Sequence, residues 1–315
     1  MIEVSNLTKT YPGDLAVNDI SFKVDKGEIV GFLGPNGAGK STTLRILTCF
    51  LAPTRGSASV AGFDVVRQSM EVRRRVGYLP ESNPLYTEMR VEEYLHYRAR
   101  IKGVASADRA KRVDEALERV TLVDRRRSII QHLSKGLRQR VGIADAIVHN
   151  PELVILDEPT IGLDPTQVRE IRELIRALGR EHTVLFSSHI LSEVEKVCGR
   201  VIIVNRGRLV EQGTPDEIAN RLMKTGRVRL EIRGDGRAIK EKLDQAPGVG
   251  RILWSAKGDL NSYVVEAAGG KDIRSELFRC CVANGWEVIE LAYERLSLED
   301  VFAMLTEAEP QEAAP

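Results

Sequence analysis

The sequence predicts an α/β chain: a parallel sheet built around a phosphate-binding loop, carrying a helical insert and followed by a small α+β domain. Three observations predict it. A short apolar run, Ile29-Val30-Gly31-Phe32-Leu33, leads into the glycine-rich turn Gly34-Pro35-Asn36-Gly37-Ala38-Gly39-Lys40-Ser41-Thr42 and then into Thr43-Leu44-Arg45-Ile46-Leu47. That strand, turn and helix order is what a G-x-x-x-x-G-K-[ST] loop requires. A second unbroken apolar run, Leu153-Val154-Ile155-Leu156, ends in Asp157-Glu158, as a strand covered on both faces of a parallel sheet does. After residue 227 the apolar stretches follow the order β-α-β-β-α-β, that of a split βαβ sandwich.

The elements follow in order. Residues 2–7 and 20–24 alternate and read as strands, separated by the turn Tyr11-Pro12-Gly13-Asp14. The phosphate-loop strand and helix come next, and Ala52-Pro53-Thr54-Arg55-Gly56 breaks that helix. Residues 57–61 read as a strand, 65–75 as a helix, and 76–79 as a strand stopped by Pro80. From 91 to 127 the apolar residues fall at helical spacing, in two stretches parted by Gly103, within a charged helical subdomain of about 88–150. Leu133-Ser134-Lys135-Gly136 opens a further helix, which Asn150-Pro151 ends. A helix over 166–178, a buried strand over 183–186, a hairpin around Arg206-Gly207 and a helix from Pro215 complete a first domain, 1–223. A linker at 224–226 precedes a second domain, 227–306, closed by a helix over 298–305. The tail 307–315 is acidic and rich in Ala and Pro, a composition expected to stay disordered.

Composition narrows the function. The chain has 315 residues, 43% hydrophobic and 29% charged, enough for two cores. A formal net charge of +1 offers no basic field, so nucleic acid is not an expected partner. The runs Arg73-Arg74-Arg75 and Arg125-Arg126-Arg127 read as solvated faces. Cys49, Cys198, Cys280 and Cys281 form no C-x-x-C pair, which suits a reducing cytosol. Met1-Ile2-Glu3-Val4 lacks a leader's apolar core. No run approaches the ~18 apolar residues of a membrane span. Any membrane role is expected from the water side, through a partner.

In the loop, the glycines let successive backbone N–H groups converge on one anion, and the following helix adds its positive end. Lys40 is expected to reach the β- and γ-phosphates of ATP, and the Ser41 hydroxyl to hold Mg²⁺. Hydrolysis also needs a metal ligand and a group that orients water. Asp157 and Glu158, at the carboxyl end of a parallel strand, sit where ligands of such sheets bind. Asp157 is assigned to the metal and Glu158 to the water. His189, just after a buried strand, is assigned to hold the water and Glu158 in place. Tyr11 is a candidate platform for the adenine.

With these motifs in place, the chain resembles the nucleotide-binding subunit of an ABC transporter. Over residues 1 to about 220 it carries Tyr11, the loop 34–42, Leu79-Pro80-Glu81, the signature Leu133-Ser134-Lys135-Gly136-Leu137-Arg138-Gln139-Arg140, Asp157-Glu158, Ile161-Gly162-Leu163-Asp164 and His189, in the family's order. The resemblance implies a head-to-tail homodimer, with each ATP between one copy's loop and the other copy's Ser134, Lys135, Gly136 and Leu137. It assigns Asp164 to the loop between the two sites. Four positions depart from the pattern. Glu81 stands where the family has Gln, leaving a charged metal ligand in place of a neutral one. Lys135 and Leu137 alter the usual Leu-Ser-Gly-Gly-Gln. Ile161 replaces a serine. The phrase at 78–86 together with Leu133-Ser134-Lys135-Gly136 is similar to the ATPases of ABC-2 type exporters, the gliding-motility type above all.

The reading that follows is a cytosolic ATPase, peripheral on the inner face of the cytoplasmic membrane, that drives a separate multispanning permease. The insert and the Glu81 loop would dock that permease. A soluble ABC ATPase acting on the ribosome or DNA is the alternative, disfavoured by a single phosphate loop, the absence of heptad runs and the charge balance. A P-loop kinase or GTPase is disfavoured by the signature and His189.

Overall fold

The computed structural model describes residues 1–190, 194–222, 227–257, 259–268, 272–294 and Phe302. The expected linker at 224–226, the tail and, apart from Phe302, the helix over 298–305 lie outside the described residues. The chain divides into two compact units, Met1–Pro215 and Asp216–Pro315.

The first unit holds two sheets. An antiparallel sheet of order β2-β1-β4-β5 is made from β1 (Ile2–Tyr11), β2 (Asp14–Val24), β4 (Arg55–Val60) and β5 (Phe63–Asp64). A six-stranded sheet of order β10-β9-β3-β8-β7-β6 is made from β3 (Ile29–Leu33), β6 (Val76–Leu79), β7 (Leu153–Leu156), β8 (Thr183–Ser188), β9 (Arg200–Asn205) and β10 (Arg208–Gly213). Its first five members in chain order run parallel, and β10 returns antiparallel on β9. All four residues of β7 and all six of β8 are buried, which is why their sequences show no alternation. The sheets share one core, in which Phe22 and Phe32 meet with ring centroids 5.6 Å apart, among Leu44, Ile46, Leu47, Val72, Ile155 and Leu185. The parallel register brings the carboxyl ends of β3, β7 and β8 together, at Leu33, Leu156 and Ser188.

The helices of this unit are α1 (Lys40–Leu47), α2 (Ser69–Arg75), α3 (Val91–Ile101), α4 (Arg109–Arg119), α5 (Lys135–Ile147) and α6 (Pro165–Leu178). The helix expected over 65–75 starts four residues late. Asp64 Oδ1 accepts from the N–H groups of Val66 and Arg67, at 2.9 and 2.7 Å, and that local turn competes with a helical start. The arginine runs are more than solvated faces. Arg75 lies over the Phe63 ring and pairs with Glu71 and Glu152, while Arg126 bridges Glu92 and Asp114. Buried Asp145 of α5 holds α3 through Arg98 Nε at 2.9 Å and Lys102 Nζ at 3.0 Å.

The helix α7 (Pro215–Leu222) is followed by β11 (Arg227–Arg233), α8 (Gly236–Leu243), β12 (Val249–Lys257), β13 (Leu260–Ala267), α9 (Arg274–Ala283) and β14 (Glu287–Glu294). The four strands form an antiparallel sheet of order β12-β13-β11-β14. Val228, Leu230 and Ile232 alternate onto a core with Ile239, Leu243, Tyr263, Val265 and Leu277. Asp235 caps α8 by accepting from two backbone N–H groups. Cys281 is buried in α9, next to half-buried Cys280.

Candidate active site

The phosphate loop connects β3 to α1, so its open end faces the carboxyl edge of the six-stranded sheet. Gly39, the N-cap of α1, has φ 95°, a left-handed conformation that costs a side chain strain. A Cβ there would also strike the Ala16 carbonyl, and one at Gly34 the Val204 carbonyl. The loop is thus packed from both sides by backbone. Lys40 is only 6% exposed. Its Nζ donates to the carbonyls of Gly34, at 2.7 Å, and Pro35, at 3.3 Å, and faces Glu158 Oε1 at 3.3 Å.

The two carboxylates have different surroundings. Asp157 Oδ1 accepts from the hydroxyls of Ser187, at 2.7 Å, and Ser41, at 3.2 Å. Its Oδ2 is buried and has no hydrogen bond. Glu158 follows with φ 49°, left-handed backbone rare outside glycine. Its N–H donates to Ser187 Oγ at 2.8 Å, and its Oε2 meets His189 Nδ1 at 2.8 Å. An ionised carboxylate only accepts, so Nδ1 carries the proton in this contact. Behind Asp157, burial pushes the Tyr78 phenol up to about 12, with the Asp157 charge adding to the shift. That phenol stays neutral at physiological pH.

A cleft of about 480 Å³ opens over these groups. It is lined by Tyr11, by Pro35, Asn36, Gly37, Ala38, Gly39, Lys40, Ser41 and Thr42 of the loop, and by Glu81, Glu158 and His189. Gly34 and Asp157 stand behind the lining. Tyr11 carries Lys9 Nζ at 5.4 Å from its ring centroid. Asp14, Ala16 and Ile161 also line the cleft and were not expected there. Ser187 was missed too, although it is fully buried and joins the Asp157 carboxylate to the Glu158 backbone N–H. Its only signal was its position two residues before His189, in a strand with no alternation.

The signature residues are elsewhere in the chain. Ser134, Gly136 and Leu137 line a second cleft of about 530 Å³ with Arg140, Asp164 and Gln167. Ser134 caps α5 by accepting from Leu137 N at 3.3 Å, and Asp164 caps α6 by accepting from Gln167 N at 2.9 Å. A Cβ on Gly136 would meet Gln167 Oε1 at 2.6 Å, so the two helix starts are packed together. Lys135 lines neither cleft, and its Nζ lies against Gly162 of the 161–164 loop.

The comparisons with known proteins identify the family. The family described as "ABC transporter" matches residues 17–161. The chain is 36% identical over 313 residues to the bacitracin transport ATP-binding protein BcrA of Bacillus licheniformis, covering 97% of each. It is 30% identical over 308 residues to the linearmycin resistance ATP-binding protein LnrL of Bacillus subtilis, covering 97% of this chain and 98% of that one. Among solved structures, an ATP-binding subunit of an ABC transporter superposes with a TM-score of 0.64 at 35% identity, over 70% of this chain and 92% of that one. A dimeric ATP-binding cassette in a post-hydrolysis state, bound to ADP and Pi, matches with a TM-score of 0.62 at 27% identity, over 68% of this chain and 98% of that one. The fold and the site thus define an ATP-hydrolysing cassette. The chain belongs to the family of ABC transporter ATP-binding proteins, and it is an ATPase of that family.

Proposed function

We propose that this ATPase drives export through a separate multispanning permease, as a head-to-tail homodimer peripheral on the inner face of the cytoplasmic membrane. The names of its relatives, one for bacitracin transport and one for linearmycin resistance, support export. Among the described residues no helix is long and apolar enough to cross a membrane, which agrees with a membrane path supplied by another chain. The observation that carries the catalytic reading is the chain of contacts Lys40–Glu158–His189 at the phosphate loop, with Lys40 and Glu158 buried.

The chemistry runs as follows. The triphosphate enters the loop, where backbone N–H groups and the positive end of α1 receive it. Lys40 exchanges the Gly34 and Pro35 carbonyls for β- and γ-phosphate oxygens. This frees Glu158 Oε1 to take a proton from water, while His189 holds Oε2. The water oxygen bonds to the γ-phosphorus, the bond from that phosphorus to the bridging oxygen of ADP breaks, and the electron pair leaves with ADP. Tyr11 lies at the rim for the adenine. Ser41 and Asp157 would hold Mg²⁺, with Glu81 at the rim. The buried, unpartnered Asp157 Oδ2 beside a hydroxyl is a hard-oxygen donor set suited to that ion. Bound there, Mg²⁺ neutralises charge on the phosphates.

Ser134, Gly136, Leu137 and Asp164 take their roles in trans, since their cleft is distinct from the loop's, and Lys135 takes its role beside them from its place against Gly162. The dimeric relative bound to ADP and Pi supports this pairing. The test is Glu158→Gln, expected to bind ATP, to accumulate as a dimer on size exclusion, and to lose hydrolysis by about 10²-fold or more. Hydrolysis at the parental rate would overturn the assignment of Glu158.

A further inference from the structure

The first hairpin of the chain brings a carboxylate into the phosphate-loop cleft that the hydrolysis does not use. β1 and β2 are joined by the two-residue turn Pro12-Gly13, and Tyr11 pairs directly with Asp14 across it. Residues directly opposite in an antiparallel pair project to one face, with Cβ atoms about 4.5–5.5 Å apart. Tyr11 and Asp14 both line the cleft, and so does Ala16. Ala16 is the extra residue of a bulge, since Thr10 pairs with Leu15 and Lys9 with Val17. Its carbonyl lies 2.4 Å from the place of a Cβ on Gly39. The tip of the β9–β10 hairpin adds a second tie. Gly207 N donates to the Ala38 carbonyl at 3.1 Å, and Asn18 N donates to the Gly207 carbonyl at 2.8 Å. The start of β2 is therefore fixed against the phosphate loop, with Asp14 at its outer end beside Tyr11. Asp14 is exposed, and among the described residues its carboxylate has no hydrogen bond or ion pair. Lys9 of the neighbouring strand is engaged elsewhere, its Nζ donating to the Ala52 carbonyl at 2.9 Å.

We propose that Asp14 is a specificity-determining residue, whose carboxylate accepts from the 2′- and 3′-hydroxyls of the nucleotide's ribose and so selects ribonucleotides over deoxyribonucleotides. With the base on Tyr11 and the phosphates in the loop, the sugar crosses the space between Tyr11 and Gly39, alongside Asp14 and Ala16. An ionised carboxylate only accepts, and the donors a nucleotide offers at that place are its two sugar hydroxyls. An acidic side chain on a ribose hydroxyl is the solution that dinucleotide-binding sheets also use. Asp14 stands at the base end of the cleft, so its charge is kept away from the phosphates. The proposal rests on the reading of this cleft as the ATP site.

The test is equilibrium dialysis of the full-length chain, at low concentration and with Mg²⁺, against ATP, 2′-deoxy-ATP, 3′-deoxy-ATP and GTP. The parent is expected to bind each deoxy analogue about fivefold more weakly than ATP, the scale of one hydrogen bond to an exposed charged group. Asp14→Ala is expected to lose about tenfold in ATP affinity and to bind ATP and the two deoxy analogues within about twofold of one another, because deleting either partner of one contact is non-additive with deleting the other. GTP carries the same ribose and should lose affinity by the same factor as ATP. A loss confined to ATP would place the carboxylate on the base and overturn the proposal. So would a parent that does not distinguish the deoxy analogues, or a preference that survives in Asp14→Ala. A role confined to the stability of the turn would lower the melting temperature and weaken all four nucleotides equally, leaving the preference intact, and would overturn it too. A parent that binds none of the four would overturn the reading of the cleft itself.

Discussion

The phosphate-loop cleft and the signature cleft use one device and furnish it differently. Each presents a helix start whose first turn contains no acidic residue, and in α1 and α5 the first helical residue is a lysine, Lys40 or Lys135. A cation there opposes the helix dipole by roughly 0.3–1 kcal/mol, so both starts are set for an anion. Beyond that they part. Lys40 is buried and faces a buried carboxylate, whose other oxygen is held by a histidine. Ser134 and Asp164 are satisfied by their own helix starts, and Lys135 is exposed over Gly162. Charge placed at fixed distances in a low-dielectric site performs chemistry. A capped helix start with a surface lysine is fitted to receive an anion. The difference fits the proposal that one chain contains a reaction centre and, separately, a surface that completes another copy's centre.

The variant expected to act most strongly on this contrast is Lys40→Ala. It removes the ammonium from the phosphates and leaves Glu158 buried without its cation. ATP affinity of the single chain should fall by about 10²-fold, as for the loss of two charge-assisted hydrogen bonds. Equilibrium dialysis measures it, and an unchanged affinity would remove Lys40 from the cradle. Ser134→Ala acts on the other cleft and should behave oppositely. ATP affinity of the dilute, monomeric protein should stay within about twofold, while kcat at saturating ATP drops about tenfold with the lost dimer contact. Part of any stability change is the helix cap alone, about 1 kcal/mol, and a melting curve separates it. If Ser134→Ala weakened ATP binding by the monomer as much as Lys40→Ala, the two clefts would not be separate halves.

How much of this was legible depends on the range of the signal. The loop at 34–42, the strand ending in Asp157-Glu158 and the split βαβ order are local patterns, and apolar runs with glycine punctuation report them directly. The turn that displaces the start of α2 is also local, yet the Asp64 side chain competes with helical periodicity there and wins. Ser187 was not legible, because a serine inside a fully buried strand has no pattern that says which groups it will join. Nor was the retraction of Lys40 onto Gly34 and Glu158, which depends on residues 118 positions apart meeting at a sheet edge.

The finest test of the contrast is Glu81→Gln, on the rim of the first cleft. Glu81 is exposed and lines the cleft with the loop. Without a divalent ion, its charge and those of the phosphates repel. With the ion between them, either a carboxylate or an amide oxygen serves as a donor. Removing the charge while keeping the oxygen should therefore leave hydrolysis with Mg²⁺ within about twofold. It should also tighten binding of metal-free ATP by about two- to fivefold, the scale of one exposed charge pair. Isothermal titration with and without chelator reads both values. A loss of hydrolysis beyond about tenfold would mean that the carboxylate charge is used in the reaction, and would move Glu81 from the rim to the group of Asp157 and Glu158.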